Sequence, residues 1–171
     1  MGAPRTLVVY YSRTGTTRRL AADLAQALGA DIDEIHDAGG RMGFLGYWRS
    51  VSEARGRHAT VISPALLDPA DYDLVVIGTP VWAWSLSSPV RAYLTLHRPR
   101  LPNVAFFATL GGAGAESAFA QMQAVAGKPP QQVLAVTAAE MARKTYGKKL
   151  LAFVDALLAP AAATGAFRSA A

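Results

Sequence analysis

The sequence predicts a doubly wound α/β fold: a five-stranded parallel sheet in the order 2-1-3-4-5 with helices on both faces. Three observations point there. Four short runs are apolar on both faces, a fifth run is much more polar, and amphipathic helical periods lie between them. A chain of 171 residues fits one such domain and leaves little for a second.

The apolar runs are Thr6–Tyr11, Leu74–Gly78, Val104–Ala108 and Val133–Val136. A strand that is apolar on both faces and bounded by turn residues suits the centre of a parallel sheet covered on both sides. Asp31–His36 carries Asp31, Asp33 and Glu34, which suits an edge strand where charge discourages unwanted pairing. With that strand at the edge, right-handed crossovers give the 2-1-3-4-5 order. Leu20, Leu24 and Leu28, with Ala21 and Ala25, form the first helical stripe, ending at Gly29. Val90, Tyr93 and Leu94 follow Pro89, a good first-turn residue, and Phe119, Met122 and Val125/Ala126 stop at Gly127. Tyr146, Leu150, Val154, Leu157 and Leu158 form the last stripe, stopped by Pro160. A second crossover helix is expected to start after Gly46, in a stretch that also holds the aromatic segment Phe44–Trp48. That segment is expected to cover apolar surface. Residues 1–158 are expected to form the domain, and the Ala-rich stretch 159–171 a frayed tail.

Composition narrows the chemistry. Apolar residues make up 51% of the chain, enough for a buried core, and charged residues at 17% fall below the globular norm of about 25%. With no cysteine there are no disulfides, iron–sulfur clusters or thiol nucleophiles. His36, His58 and His97 lie far apart with no ligand spacing, so no metal site is expected. No apolar run reaches the roughly 18 residues of a membrane helix, and no signal architecture precedes the first strand, so a cytoplasmic protein is expected. The N-terminal match to a myristoylation pattern is read as coincidence, because Thr6 already opens a strand. The net charge of +5 is uneven: residues 1–75 carry 8 basic and 9 acidic side chains, residues 76–171 carry 9 and 3. No arginine-rich block or nucleic-acid motif accompanies it, so specific nucleic-acid binding is not expected.

In such a sheet, ligands sit at the carboxyl ends of the strands where the winding reverses. Three unusual loops converge there. Ser12-Arg13-Thr14-Gly15-Thr16-Thr17 runs from the first strand into a helix. Gly15 permits a tight turn, the helix start offers free N–H groups and a positive dipole end, and the hydroxyls add neutral donors; together they suit a phosphate. The alternative is a hydroxyl-capped helix with no ligand. The Walker spacing and its lysine are absent, as is G-x-G-x-x-G. The second loop, Gly78-Thr79-Pro80-Val81-Trp82-Ala83-Trp84-Ser85, holds two tryptophans that a flat ligand or core packing should cover, with Trp82 the first candidate. The third, Thr109-Leu110-Gly111-Gly112-Ala113-Gly114, has glycines that let the backbone approach a ligand closely.

The S-R-T-G-T-T run resembles the [ST]-x-T-G-x-T phosphate loop of the flavodoxin family, and Gly78-Thr79-Pro80-Val81-Trp82 resembles that family's G-[ST]-P-x-W loop. The resemblance extends from about Thr6 to Leu158. It implies a flavodoxin-like fold with FMN as cofactor. Ser12, Thr14 and Thr17 would give hydroxyl bonds to the FMN phosphate, and Arg13, Gly15 and Thr16 backbone N–H groups. Thr79 to Trp84 would line the isoalloxazine ring, and Thr109, Leu110, Gly111 and Gly112 would meet its pyrimidine side. The chain departs from the acidic character of many flavodoxins, with a pI ≈ 9.8. Its third loop lacks the tyrosine and acidic residue often found there, and the insertion that splits the last strand in some members is missing.

The resemblance implies electron transfer through bound FMN, with a redox partner protein or with NAD(P)H and a quinone. A quinone or flavin reductase on the same fold is the alternative, and a non-redox phosphate-ligand or signalling module the second. Ser12 has no histidine partner that would make it a nucleophile, so no catalytic residue is assigned. The three loops hold no Asp or Glu, so a reduced, negatively charged flavin is expected to form more readily than in acidic relatives.

Overall fold

The computed structural model describes residues 4–38 and 60–159. The expected helix after Gly46, the aromatic segment Phe44–Trp48, His58 and the tail beyond Ala159 lie outside the described residues.

The chain enters the sheet at once through β1 (Thr6–Tyr10), followed by α1 (Thr16–Leu28) and β2 (Asp31–Glu34). Next come β3 (Leu74–Trp82), a two-residue β4 (Ser85–Leu86) and α2 (Ser88–His97). The rest is β5 (Asn103–Leu110), α3 (Ala115–Ala126), β6 (Val133–Thr137), a short α4 (Ala138–Arg143) and α5 (Gly147–Leu158). The strands β2-β1-β3-β5-β6 pair in parallel in that order, and β4 folds back antiparallel on β3. Setting aside that small return strand, this is the predicted 2-1-3-4-5 order.

Both faces of the central strands are covered, as their composition requires. Val8 and Tyr10 of β1 join Leu20 and Leu24 of α1 and Phe153 and Val154 of α5 in one core layer. Leu7 and Val9 turn the other way, to Tyr93 and Leu94 of α2 and Met122 of α3. Alternation along one strand thus feeds two separate cores.

The polar edge strand differs from a simple water-facing one. Asp33 is buried, and its carboxylate accepts hydrogen bonds from the backbone N–H groups of Leu66 (2.9 Å) and Leu67 (3.1 Å). A buried carboxylate is tolerable when backbone donors satisfy it. Beyond β2, residues 36–38 and 61–63 meet antiparallel, with Ala38 donating to Val61 and Ser63 to His36 at 2.9 Å each. Among the described residues, no helix is long and apolar enough to cross a membrane.

Candidate functional site

The winding reverses between β1 and β3, so their carboxyl ends and that of β5 frame a crevice. The loop after β1 is tied down at both ends. Tyr11 N–H donates to the carbonyl of Gly78 (3.2 Å), and Gly15 N–H donates to Ser12 Oγ (3.1 Å). Gly15 stands at φ 90°, a left-handed conformation that a side chain would strain, and serves as the N-cap of α1. Neither a capping side chain nor an acidic first-turn residue occupies this helix start. Its first-turn amides therefore remain available, with the Thr14 and Thr16 hydroxyls 3.4 Å apart beside them. The helix start is thus not capped by its own hydroxyls, and such a start could receive an anion. The next cation along α1, Arg18, is engaged elsewhere: it forms a salt bridge to Glu34 (2.8 Å), which raises its pKa further and also holds the Tyr10 hydroxyl (3.1 Å).

The loop after β3 is not a loose connection. β3 runs four residues past Gly78, and Val81 and Trp82 pair with Leu86 and Ser85 of β4. Ala83 (φ 48°) and Trp84 (φ 59°) form the two-residue tip, with both central residues left-handed as in a type I′ turn. Such turns favour Asn and Gly; a side chain in this region costs about 1–2 kcal/mol per residue. The strain lies on a tip that carries two indoles, 45% (Trp82) and 64% (Trp84) exposed. Trp82 meets the edge of Tyr11 (centroids 6.3 Å, planes 88° apart) and the Arg13 guanidinium, 6.0 Å from the indole. Beneath the tip, Thr79 is fully buried; its hydroxyl donates to the Pro80 carbonyl (2.9 Å) and receives Ser87 N–H (3.0 Å).

The loop after β5 shares the glycine N-cap of the first but has an acid, Glu116, in the first turn of its helix. Gly114, at φ 101°, is the N-cap of α3, again without a capping side chain. A Cβ there would stand 2.7 Å from Trp84 Cδ1 and 2.9 Å from Trp84 Cα, so only glycine lets this tryptophan seat itself. The end of β6 is built differently: Thr137 and Glu140 form a complete capping box that satisfies the start of α4 internally. Glu140 also pairs with Lys149 (2.6 Å). That partner and the Thr137 backbone N–H hold its carboxyl down at about 2. The helix starts after β1 and β5, the strands that flank the crevice, carry no side-chain cap, and neither do those of α2 and α5, whereas the start after β6 is closed. A cleft of about 480 Å³ opens between Trp84, Gly112, Gly114, Thr137 and Lys149. Glu116 also lines it, a carboxylate adjacent to loops that contain none.

The first and third loops are joined directly. Thr17 and Thr109 share a hydrogen at 2.7 Å between their hydroxyls, and both are buried. Of the residues singled out from sequence, Ser12, Arg13, Thr14, Gly15, Thr16, Trp82, Ala83, Trp84, Gly111 and Gly112 reach solvent. Thr17, Thr79, Pro80, Val81, Thr109 and Leu110 are buried beneath them. Sequence reasoning missed Tyr11, whose place between strand and loop was the available signal. It also missed Gln121, which has no local signal at all.

The family model for flavodoxins matches residues 5–143. This chain belongs to the flavodoxin family. Its flavodoxin fold is shared by a flavoprotein from Lactobacillus acidophilus solved in complex with FMN: 23% identity, TM-score 0.65, 84% of this chain and 99% of that one covered. Two-electron reduced Megasphaera elsdenii flavodoxin is similar at 19% identity and TM-score 0.56, over 88% of this chain and 98% of that one. An NADH:FMN oxidoreductase, solved in its apo form, is similar at 17% identity and TM-score 0.56, over 90% and 88%. No curated protein matches the chain.

Proposed function

We propose that this flavodoxin-family chain binds FMN and passes electrons through it. One observation carries the reading: an uncapped helix start with hydroxyls beside it adjoins an exposed indole, the Arg13 guanidinium of that loop lying 6.0 Å from the Trp82 ring. The first feature fits a phosphate monoester, the second a flat aromatic ring. The FMN complex of the Lactobacillus acidophilus flavoprotein supports the pairing.

The first-turn amides of α1, with Ser12, Thr14 and Thr16, would hold the phosphate, and Arg13 supplies the loop's own positive charge. Thr17, bonded to Thr109, would brace the two loops rather than reach the phosphate with its side chain. Trp82 and Trp84 would shield the flavin from water, and the backbone of Gly111 and Gly112 is free of side chains that would block its polar edge. Bound FMN supplies one- and two-electron redox chemistry; the protein's part is to orient it and set the surrounding charge.

The partner under this reading is a redox protein. A second reading, an NAD(P)H-dependent quinone or flavin reductase, is favoured by the lack of Asp and Glu within the three loops, which lowers the charge penalty on a fully reduced flavin, although Glu116 beside the third loop offsets part of that gain. A yellow purified protein that releases FMN on denaturation is the expected result; a colourless protein with no FMN affinity refutes both readings. Steady NADH or NADPH oxidation with a quinone then selects the reductase, and its absence the carrier.

A further inference from the structure

Gln121 lies on α3, outside the three loops in sequence, yet it is bonded to the strained tip of the second. Its Nε2 donates to the Trp84 carbonyl (3.1 Å) and to Ser117 Oγ (3.3 Å), while its Oε1 accepts from Arg91 of α2 (2.7 Å). The arrangement fixes the amide's orientation. A guanidinium has only donors, so Arg91 must face the amide oxygen, and the NH2 group is thereby turned toward Trp84. The carbonyl it grips belongs to the second of two left-handed residues, where a bond from outside the turn opposes the backbone's tendency to relax. On the other side, Gly114 leaves room for the Trp84 ring.

We propose that Gln121 is a positioning residue: oriented by Arg91, it holds the left-handed Ala83–Trp84 tip and so sets the Trp84 indole beside the third loop for the flavin. This rests on the FMN reading above. Gln121→Glu separates the two halves of the contact. It keeps an acceptor for Arg91 and removes the N–H for the Trp84 carbonyl, at nearly unchanged volume.

The test uses the full chain labelled with 5-fluorotryptophan, whose three resonances come from Trp48, Trp82 and Trp84, the last assigned with Trp84→Phe. Before FMN is added, Gln121→Glu should shift or broaden the Trp84 line. On titration with FMN its Kd should rise about tenfold, the loss expected for one hydrogen bond that orders a contact. Adding Ala83→Asn, a residue that tolerates the left-handed region, should restore both the line and most of the affinity. A purely structural role for Gln121 would not be rescued there. If Gln121→Glu does not fold, Arg91→Met, which frees the amide without removing it, should give a smaller change of the same kind. An unchanged Trp84 line, or a moved line with unchanged FMN affinity, overturns the proposal. A parent protein that does not bind FMN overturns the FMN reading instead, and the fluorine spectrum still reports whether Gln121 holds Trp84.

Discussion

Gly78→Ala is the sharpest probe of how the sheet supports the crevice. Gly78 lies on β3 opposite Phe107 of β5, and its carbonyl receives Tyr11 N–H, which anchors the first loop. A Cβ at position 78 would stand 2.0, 2.3 and 2.5 Å from Cζ, Cε2 and Cε1 of Phe107. Ordinary carbon contacts lie near 3.5–4.0 Å, so all three fall short by about 1 Å or more. Phe107 is fully buried in the layer beneath α1 and α5, and its ring cannot swing into solvent. Overpacking of this kind typically costs about 1–3 kcal/mol. The upper end applies here, because two central strands would have to part. About 3 kcal/mol corresponds to a fall in Tm of about 6–12 °C for a chain of this size. Urea unfolding followed by far-UV circular dichroism gives the cost directly. Phe107→Leu alone should cost about 1–2 kcal/mol through the space it leaves. The double variant Gly78→Ala/Phe107→Leu should be more stable than the sum of the singles by at least about 1 kcal/mol. If Gly78→Ala unfolds at the parent's urea midpoint, or the double variant is strictly additive, the close approach of Gly78 and Phe107 does not exist as described.

Thr14→Asp places a carboxylate in the proposed phosphate cradle and should weaken FMN binding at least about tenfold, measured by quenching of flavin fluorescence; unchanged affinity would remove the first loop from the site. Thr17→Val strands the buried Thr109 hydroxyl and should cost about 1–3 kcal/mol in urea unfolding, whereas Thr17→Val/Thr109→Val should recover part of it; equal costs would deny the bond between the loops. Glu140 has a depressed carboxyl pKa, so its contribution to stability is present above its unfolded value of about 4.5 and is lost as pH falls through about 2. Lys149→Met removes the largest cause of that depression, and acid unfolding followed by circular dichroism should move to higher pH; superimposable acid curves would count against the pair.

The central strands were legible because a parallel strand between two helix layers must be apolar on both faces, and Val8-Val9 or Val75-Val76-Ile77 can hardly be anything else. The hydroxyl-rich first loop was legible for a related reason, since its chemistry is local. Thr17 had two signals that disagreed. It belongs to the phosphate-loop pattern, but it also falls on the stripe of Leu20, Leu24 and Leu28, and the stripe describes its burial. The β3–β4 hairpin was not readable, because Trp82-Ala83-Trp84-Ser85 contains none of the turn residues that left-handed tips prefer. Its support comes from Gln121 and Gly114, thirty or more residues on. Asp33 gave the same difficulty: its backbone donors at Leu66 and Leu67 are brought in by the tertiary fold. The capping box at Thr137 and Glu140 was present in the sequence as T-x-x-E and marks α4, a helix that periodicity alone is too coarse to find.

The Arg18–Glu34 bridge has a consequence for how the first loop responds to its medium. An anion held chiefly by lysines and arginines is released as ionic strength rises, because each mobile cation is screened. Here the arginine one turn into α1 is neutralised by β2, and the loop is left with Arg13 among backbone amides and hydroxyls. Fixed dipoles that touch their ligand are within a few ångströms of it, well inside the roughly 8 Å over which physiological salt screens. A phosphate held this way should stay bound across a wide range of salt, so added electrolyte would loosen a charged partner from the basic exterior long before it emptied the crevice.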